Sequence, residues 1–153
     1  GNVALKTAEG TAKFIVDNKI SKILEIGTGS GYQASVLSLL CDKVYTLERH
    51  KILHEKARSF FKDIKLKNVF PFLKDGFEGL VNEAPFDKII ITCGADYVPE
   101  KLLSQLKIGG EMIIPLNDSE TNYMKRIIKL SEGEYYEERF DGFQFVPMLK
   151  GIN

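Results

Sequence analysis

The chain has 153 residues, with 21 basic and 21 acidic side chains. This length predicts a single domain with its own core, residues 1–153, and the balanced charge argues against a nucleic-acid or anionic-membrane surface. No apolar run is as long as a membrane span and no signal-peptide pattern is found, and the two cysteines, Cys41 and Cys93, have no metal-type spacing, so we expect them to be reduced in a cytoplasmic protein.

The first predicted elements alternate between helix and strand. Residues 1–18 are predicted as an amphipathic helix, residues 23–26 as a buried strand, and residues 32–41 as a helix that follows a glycine turn. Residues 44–47, ended by Glu48, form the second predicted strand. A further helix is predicted from apolar residues at helical spacing, with the buried stripe Leu53, Ala57, Phe60 and Ile64.

The second half first continues this alternation and then changes to strands alone. Strands are predicted at residues 69–73, 88–92 and 111–115, and a helix runs from Pro99 to a stop at Gly109-Gly110, with Leu102, Leu103 and Leu106 facing inward. Residues 123–130 and 134–146 predict an antiparallel hairpin. The expected fold class is therefore α/β, a three-layer, Rossmann-like, doubly wound sheet that is mostly parallel and has an antiparallel C-terminal edge hairpin.

The glycine turn at residues 27–31 is the strongest ligand-binding signal in the chain. Its spacing, read from Gly29, Gly31 and Ala34, is compatible with the dinucleotide fingerprint, so NAD stays an alternative. Two carboxylates favour S-adenosylmethionine instead. Glu25, just before the turn, would repel a pyrophosphate but suit a cation, and Glu48, at the end of the second strand, can accept hydrogen bonds from ribose hydroxyls.

Several of these residues also have simpler interpretations. Glu48 could be a solvated acid at a strand end, and Asp75-Gly76 could be an ordinary turn. His50 and His54 are spaced for one face of a helix, but no third metal ligand is evident, so a surface pair is the better interpretation and no metal is expected.

The order of motifs resembles the class I methyltransferases, and among them the protein-L-isoaspartate O-methyltransferase family. The matching segments are LEIGTGSGYQA at 24–34, VYTLER at 44–49, KDGFEGL at 74–80, APFDKIIIT at 84–92, LLSQLKIGGEMIIPL at 102–116 and FVPML at 145–149. The glycine loop is common to many methyltransferases, whereas DG-x-x-GL, APFD and the terminal FVP-x-L are more particular to this family.

The resemblance implies S-adenosyl-L-methionine as the cofactor. Gly27, Gly29, Ser30 and Gly31 would line its methionine part, Glu48 would hold the ribose, and Asp75 and Gly76 would lie at the adenine edge. The predicted cofactor site is completed by Glu25, Thr28, Gln33, Arg49 and Thr92, and the predicted site for the isoaspartyl peptide consists of Val146, Pro147 and Leu149.

The resemblance also implies an activity, the carboxyl O-methylation of L-isoaspartyl residues in damaged proteins or peptides. A methyltransferase acting on another small acceptor and a non-catalytic cofactor-binding module stay as alternatives. The family has an N-terminal region ending in a Thr-Ile-Ser type motif, and residues 1–13, GNVALKTAEGTAK, do not match it. We therefore expect either a trimmed chain or a short relative, and no catalytic residue is assigned.

Overall fold

The computed structural model describes residues 20–119 and 121–141. The predicted helix at residues 1–18, the end of the last predicted strand, and Val146, Pro147 and Leu149 lie outside these residues. The described strands are β1 (Lys22–Ile26), β2 (Lys43–Glu48), β3 (Val69–Leu73), β4 (Phe86–Ile91), β5 (Leu106–Asn117), β6 (Asn122–Ser131) and β7 (Glu134–Asp141). The described helices are α1 (Tyr32–Ser38), α2 (Lys51–Asp63) and α3 (Glu100–Ser104), with short 3₁₀ turns at Gly76–Glu78 and Val81–Glu83.

The seven strands form one sheet in the order β3-β2-β1-β4-β5-β6-β7. The first five strands pair in parallel, and β6 and β7 join antiparallel at one edge. β1 has parallel neighbours on both sides, and its residues Ile23, Leu24 and Ile26 are buried, as expected for a central strand. This topology confirms the predicted doubly wound fold with an antiparallel edge hairpin.

Each face of the sheet carries its own hydrophobic core. On one face α1 and α2 cover the sheet, with Ala34, Leu37, Ala57 and Phe61 packed around Ile23. On the other face Leu102 of α3 joins a larger cluster that contains alternate residues of β1 and β4. Because strand side chains alternate between faces, the apolar runs of the central strands supply both cores.

The buried stripe of α2 differs from its prediction. Ala57 and Phe61 are buried, whereas Leu53, Phe60 and Ile64 are 37 to 45% exposed. Phe61 is inside because it packs into the core formed with Ala34 and Leu37 of α1, and its ring also lies against Gly31. α2 is thirteen residues long, and none of the described helices is both long and apolar enough to cross a membrane.

The predicted helix from Pro99 to Gly109 was wrong at its C-terminal end. α3 ends at Ser104, and Leu106 is the first residue of β5, where it pairs with Phe86. The pairing then jumps to Lys88 with Glu111, so residues 107–110 form a bulge. A Cβ on Gly110 would lie 2.9 Å from the Asp87 carbonyl oxygen, which explains a glycine there as a close backbone approach inside a strand.

Candidate functional site

The carboxyl ends of β1, β2, β3 and β4 meet at one edge of the sheet. Backbone hydrogen bonds fix the loops that leave this edge: the Gly27 amide donates to the Leu47 carbonyl (2.8 Å), and the Thr92 amide donates to the Ile26 carbonyl (3.1 Å). The strand order reverses here, between β1 and β4. In open parallel sheets this is the crevice in which ligands bind.

The glycine turn after β1 needs glycine for two different reasons. Gly27, Gly29 and Gly31 all have positive φ, at 96°, 54° and 87°. A Cβ on Gly27 would lie 2.4 Å from the Thr92 hydroxyl, and one on Gly31 would lie 2.8 Å from the Phe61 ring. A Cβ on Gly29 would meet no atom within 4 Å, so the middle of the turn faces open space on its outer side.

Glu48 is held in a fixed orientation beside this turn. It is 6% exposed, and its carboxylate accepts one hydrogen bond on each oxygen, from the Gly29 amide and from the His50 amide, both at 3.0 Å. Each oxygen keeps a further lone pair for a ligand hydroxyl. This burial rules out the alternative interpretation of Glu48 as a solvated strand-end acid.

Glu25 lies below the turn and is fully buried. Its carboxyl accepts hydrogen bonds from the Gln33 amide nitrogen (2.8 Å) and from the Thr46 hydroxyl (2.5 Å). The Thr46 hydroxyl also lies 2.6 Å from the Thr28 hydroxyl, in the glycine turn. Burial raises the pKa of Glu25 to about 7, the two hydrogen bonds oppose this rise, and the negative charge of Glu48 adds to it.

Gln33 leaves one buried polar atom unsatisfied. Its Nε2 donates to Glu25, but its Oε1 is buried and has no hydrogen-bond partner among the described residues. An amide side chain can rotate to exchange its oxygen and nitrogen positions. Gln33 can therefore either donate to the Glu25 carboxylate or accept from the protonated carboxyl.

The remaining predicted cofactor residues surround the turn in different environments. The Thr92 hydroxyl donates to the Ile26 and Gly27 carbonyl oxygens at 2.9 and 3.0 Å, which ties β4 to the turn. Ser30 is exposed, and Arg49 is half-buried directly after Glu48. The structure thus brings the glycine turn, Glu48 and Thr92 together around the crevice, with Glu25 and Gln33 beneath it.

Asp75 and Gly76 lie after β3, on one side of the same edge. The Asp75 carboxylate accepts from the Phe77 amide at 3.0 Å and caps the 3₁₀ turn Gly76–Glu78. A cleft of about 620 Å³ opens next to Asp75, and the facing side is formed by Tyr97 and the following residues. Asp75 is therefore both a turn residue and a wall of a cleft.

Two supporting residues were missed by sequence reasoning. Thr46 is the buried donor that joins Glu25 to Thr28, and a threonine inside a buried strand gave no separate signal. Gln105 is 3% exposed; its side chain accepts from the Leu80 amide (2.7 Å) and donates to the Glu78 carbonyl (3.1 Å), which secures the segment that follows Asp75. A glutamine just after a helix is ordinary in sequence, so only its contacts identify it.

The described residues give no support to a metal site or to a cysteine nucleophile. Among residues 20–119 and 121–141, no group of three or more His, Cys, Asp or Glu side chains is arranged to hold a metal ion. The pKa values of Cys41 and Cys93 are raised, chiefly by burial, to about 12 and about 11, so neither thiol is activated as a nucleophile at neutral pH.

Sequence comparison matches most of the chain to one family. The family profile described as Protein-L-isoaspartate(D-aspartate) O-methyltransferase (PCMT) matches residues 8–153. A protein-L-isoaspartate O-methyltransferase from Cytophaga hutchinsonii is 48% identical over 84% of this chain and 58% of its own length. A relative of the same name from Paracoccus denitrificans is 44% identical over 86% of this chain and 61% of its own length. The chain thus spans about 60% of the length of these curated relatives.

Structure comparison gives the same result. A solved protein-L-isoaspartate O-methyltransferase superposes with a TM-score of 0.78 at 29% identity, covering 83% of this chain and 41% of that one. A Plasmodium falciparum protein described as a member of the same family, solved in complex with S-adenosyl-L-homocysteine, superposes with a TM-score of 0.75 over 86% of this chain and 66% of its own. At 24% identity this second match supports the fold alone.

Proposed function

The chain belongs to the protein-L-isoaspartate(D-aspartate) O-methyltransferase family, and from this premise we propose that it binds S-adenosyl-L-methionine and transfers its methyl group to the side-chain carboxylate of L-isoaspartyl residues in damaged proteins or peptides. The observation that carries the proposal is the fixed pair formed by the Gly29 amide and the Glu48 carboxylate. This pair holds the Glu48 carboxylate beside the glycine turn, where it would accept hydrogen bonds from the ribose.

The residues at the crevice fit this cofactor chemically. Gly29 leaves space at the turn, and Glu48 presents oriented oxygen acceptors of the kind that bind vicinal hydroxyls. Glu25 places a second carboxyl beneath the same turn, where negative charge favours a cation and disfavours a pyrophosphate. Gly27, Ser30 and Gly31 would line the methionine part of the cofactor.

The adenine edge and the surrounding loops would be held by the remaining predicted residues. Asp75 borders the cleft after β3 and would face the adenine, with Gly76 behind it. Thr92 would act by tying the turn to β4, since its hydroxyl already donates to two turn carbonyls. Thr28 lies within the turn, and Arg49 directly follows Glu48.

Methyl transfer to a carboxylate asks little of the protein's side chains. The bound cofactor supplies an electrophilic methyl group on a sulfonium. The acceptor carboxyl, with a reference pKa of about 4, is already ionised at neutral pH and needs no general base. The contribution of the chain is to hold both reactants in line and to exclude water.

The acceptor side of the site is proposed from the family alone. Val146, Pro147 and Leu149, which lie outside the described residues, would bind the isoaspartyl peptide. Residues 1–153 are proposed to act as one S-adenosylmethionine-binding domain, and we place the protein in the cytoplasm, which the two free cysteines support. Fractionation of the source cells with an antibody against the chain tests this location.

The decisive experiment is a methyl-transfer assay with radiolabelled cofactor. An isoaspartyl peptide should be labelled, and the peptide of identical sequence with a normal aspartate should not. At limiting cofactor concentration, Glu48→Ala should reduce labelling, whereas Glu55→Ala, which removes an exposed acid on α2, should keep it. Labelling of both peptides alike would refute isoaspartyl specificity, and cofactor binding without labelling of either would refute the proposed acceptor.

A further inference from the structure

Glu25 is a buried acid whose described neighbours include no cation. It sits on β1 two residues before Gly27, paired in register with Thr46 on β2 and Ile90 on β4. The groups that face it from the packed elements are these two residues, Gln33 on α1 and Glu48 at the end of β2. The one charged group of these four is itself negative, so an ionised Glu25 would be stabilised by a positive charge arriving from outside.

The hydrogen bonds around Glu25 can serve either of its protonation states. When the carboxyl is ionised, Thr46 and Gln33 Nε2 donate to it, and Thr28 donates to Thr46. When it is protonated, its O–H can donate to Thr46 or, after rotation of the amide, to Gln33 Oε1, the buried atom that otherwise has no described partner. The Glu25 carboxyl therefore has hydrogen-bond partners in either state without movement of the backbone.

The chain of hydroxyls also connects Glu25 to the turn. Thr46 Oγ1 bridges Glu25 on one side and Thr28 on the other, and Thr28 belongs to the glycine turn that would carry the ligand. Glu25 itself is 0% exposed, so it acts on a ligand through its field rather than by contact. In a buried, weakly screened site such a field is stronger than in water.

We propose that Glu25 is a proton-linked charge sensor of the cofactor site, ionised when the cationic S-adenosyl-L-methionine is bound and protonated when the sulfonium-free S-adenosyl-L-homocysteine replaces it. This inference rests on the proposed function, because it needs these two ligands to share the glycine turn. Its consequence is that the site prefers cofactor over product through one buried residue.

The balance of charge explains why such a sensor is useful. Methyl transfer moves one methyl cation from sulfur to the acceptor carboxylate, so the sulfonium becomes a neutral thioether and the carboxylate a neutral ester. No proton is released in this step. Glu25, left without the nearby positive charge, takes one proton from the solvent, and the site then loses its electrostatic preference for a charged ligand. Loading fresh cofactor returns that proton.

The pKa of Glu25, raised by burial to about 7, allows the exchange to occur near neutral pH. Affinities for both ligands are therefore measured by calorimetry at pH 5.5 and pH 7.5, with the wild type and Glu25→Gln. The ratio of the Kd of S-adenosyl-L-homocysteine to the Kd of S-adenosyl-L-methionine should rise between pH 5.5 and pH 7.5. This rise should be about fivefold to tenfold larger in the wild type than in Glu25→Gln, as one charge at moderate effective dielectric predicts. The titration of the ligands themselves is the same for both proteins and cancels.

A second variant separates charge sensing from a merely structural role. Thr46→Val removes a donor to the ionised carboxyl, so the midpoint of the pH-dependent discrimination should move to higher pH, and the ¹³C carboxyl resonance of Glu25 should titrate in parallel. If both ligands bind but their affinity ratio changes with pH equally in the wild type and Glu25→Gln, the sensor is refuted and the proposed function stands. If neither ligand binds, both are refuted.

Discussion

The two halves of the sheet bury carboxylates in opposite ways. In the parallel half, Glu25 is fully buried, and its described polar neighbours are the hydrogen-bonding side chains of Thr46 and Gln33 and one other acid, Glu48. Next to the antiparallel edge, Glu111 of β5 lies 3.1 Å from Lys88 of β4 and 2.8 Å from Arg126 of β6, and Arg126 lies 3.3 Å from Glu138 of β7. The second acid is neutralised by basic side chains within the fold, whereas the first has no such partner among the described residues.

This difference separates the proposed binding role of Glu25 from the structural role of Glu111. The row Lys88, Glu111, Arg126 and Glu138 crosses β4 to β7 and ties the edge hairpin to the parallel sheet. Burial lowers the pKa of Lys88 to about 8 even beside Glu111, which reflects how strongly the surroundings disfavour an isolated charge. Such a row of paired charges favours one pairing of the strands. The charge of Glu25, in contrast, depends on the groups around it.

The largest effect is expected from removing Glu111, the buried acid that is paired with basic side chains. Glu111→Ala leaves Lys88 buried at 1% exposure without its carboxylate and should destabilise the protein by about 3–5 kcal/mol in urea unfolding. Glu137→Ala removes an acid of the β6–β7 hairpin whose side chain is 49% exposed, and it should cost about 0–1 kcal/mol of stability. The double variant Lys88→Met/Glu111→Leu should recover most of the loss; equal losses for Glu111→Ala and Glu137→Ala would contradict the structural role.

The next largest effect on stability concerns Glu25 and depends on pH. Glu25 has a folded pKa of about 7 against an ordinary value of 4.5. The folded state therefore holds its proton more tightly, so the cost of the buried acid is absent below pH 4.5, grows as the pH rises to 7 and is constant above. The difference of 2.5 units corresponds to about 3 kcal/mol.

Glu25→Gln should thus be more stable than the wild type by about 3 kcal/mol at pH 8 and equally stable at pH 4, provided the amide keeps the hydrogen bonds of the acid. Urea unfolding of both proteins across this range measures the difference directly. A difference that does not change with pH would show that the pKa of Glu25 is the same in the folded and unfolded states, and hence that burial does not raise it.

A smaller effect is expected at the mouth of the parallel half. Glu48→Ala removes the acceptor that the ribose would use and should weaken cofactor binding by about 1–3 kcal/mol, the cost of losing hydrogen bonds to a charged group. Calorimetry with S-adenosyl-L-homocysteine measures it, with Glu55→Ala as the exposed-acid control. An unchanged affinity would remove Glu48 from the site.

The smallest effect is expected from an exposed ion pair, which serves as the comparison for the buried acids. Lys101 and Glu78 form a surface ion pair at 2.8 Å, with side chains that are 67 and 50% exposed. Lys101→Ala should leave the melting temperature unchanged within error, because solvent screens exposed pairs. A clear drop in the melting temperature would mean that this pair, beside the Asp75 cleft, has a structural role that its exposure does not suggest.

Much of the fold was predictable because its signals are local. Central strands such as β1 and β4 are short apolar runs, and the glycine turn follows β1 directly, so their order along the chain predicted the doubly wound sheet. Glu48 was predictable for the same reason: an acid at the end of the second strand comes to the edge where the first strand's turn lies.

The errors arose where two local solutions were equally good. The spacing of α2 allows a stripe through Phe60 or one through Phe61, and the packing of Phe61 into the core beneath α1 decided between them. Gly109-Gly110 can end a helix or form a bulge, and the approach of the Asp87 carbonyl to Gly110 selected the bulge. In both cases, packing against residues distant in sequence is part of the answer: Phe61 lies in the core with Ala34 and Leu37, and Gly110 lies against Asp87.

The sequence by itself determined the strand order along the chain, the glycine turn and the acids that flank it, because each depends on residues a few positions apart. Only the tertiary structure decided that Glu25 is enclosed, with Thr46 from a neighbouring strand and Gln33 from a helix as its donors. The charge state of a buried acid depends on its neighbours in space, and these are set by the register between strands.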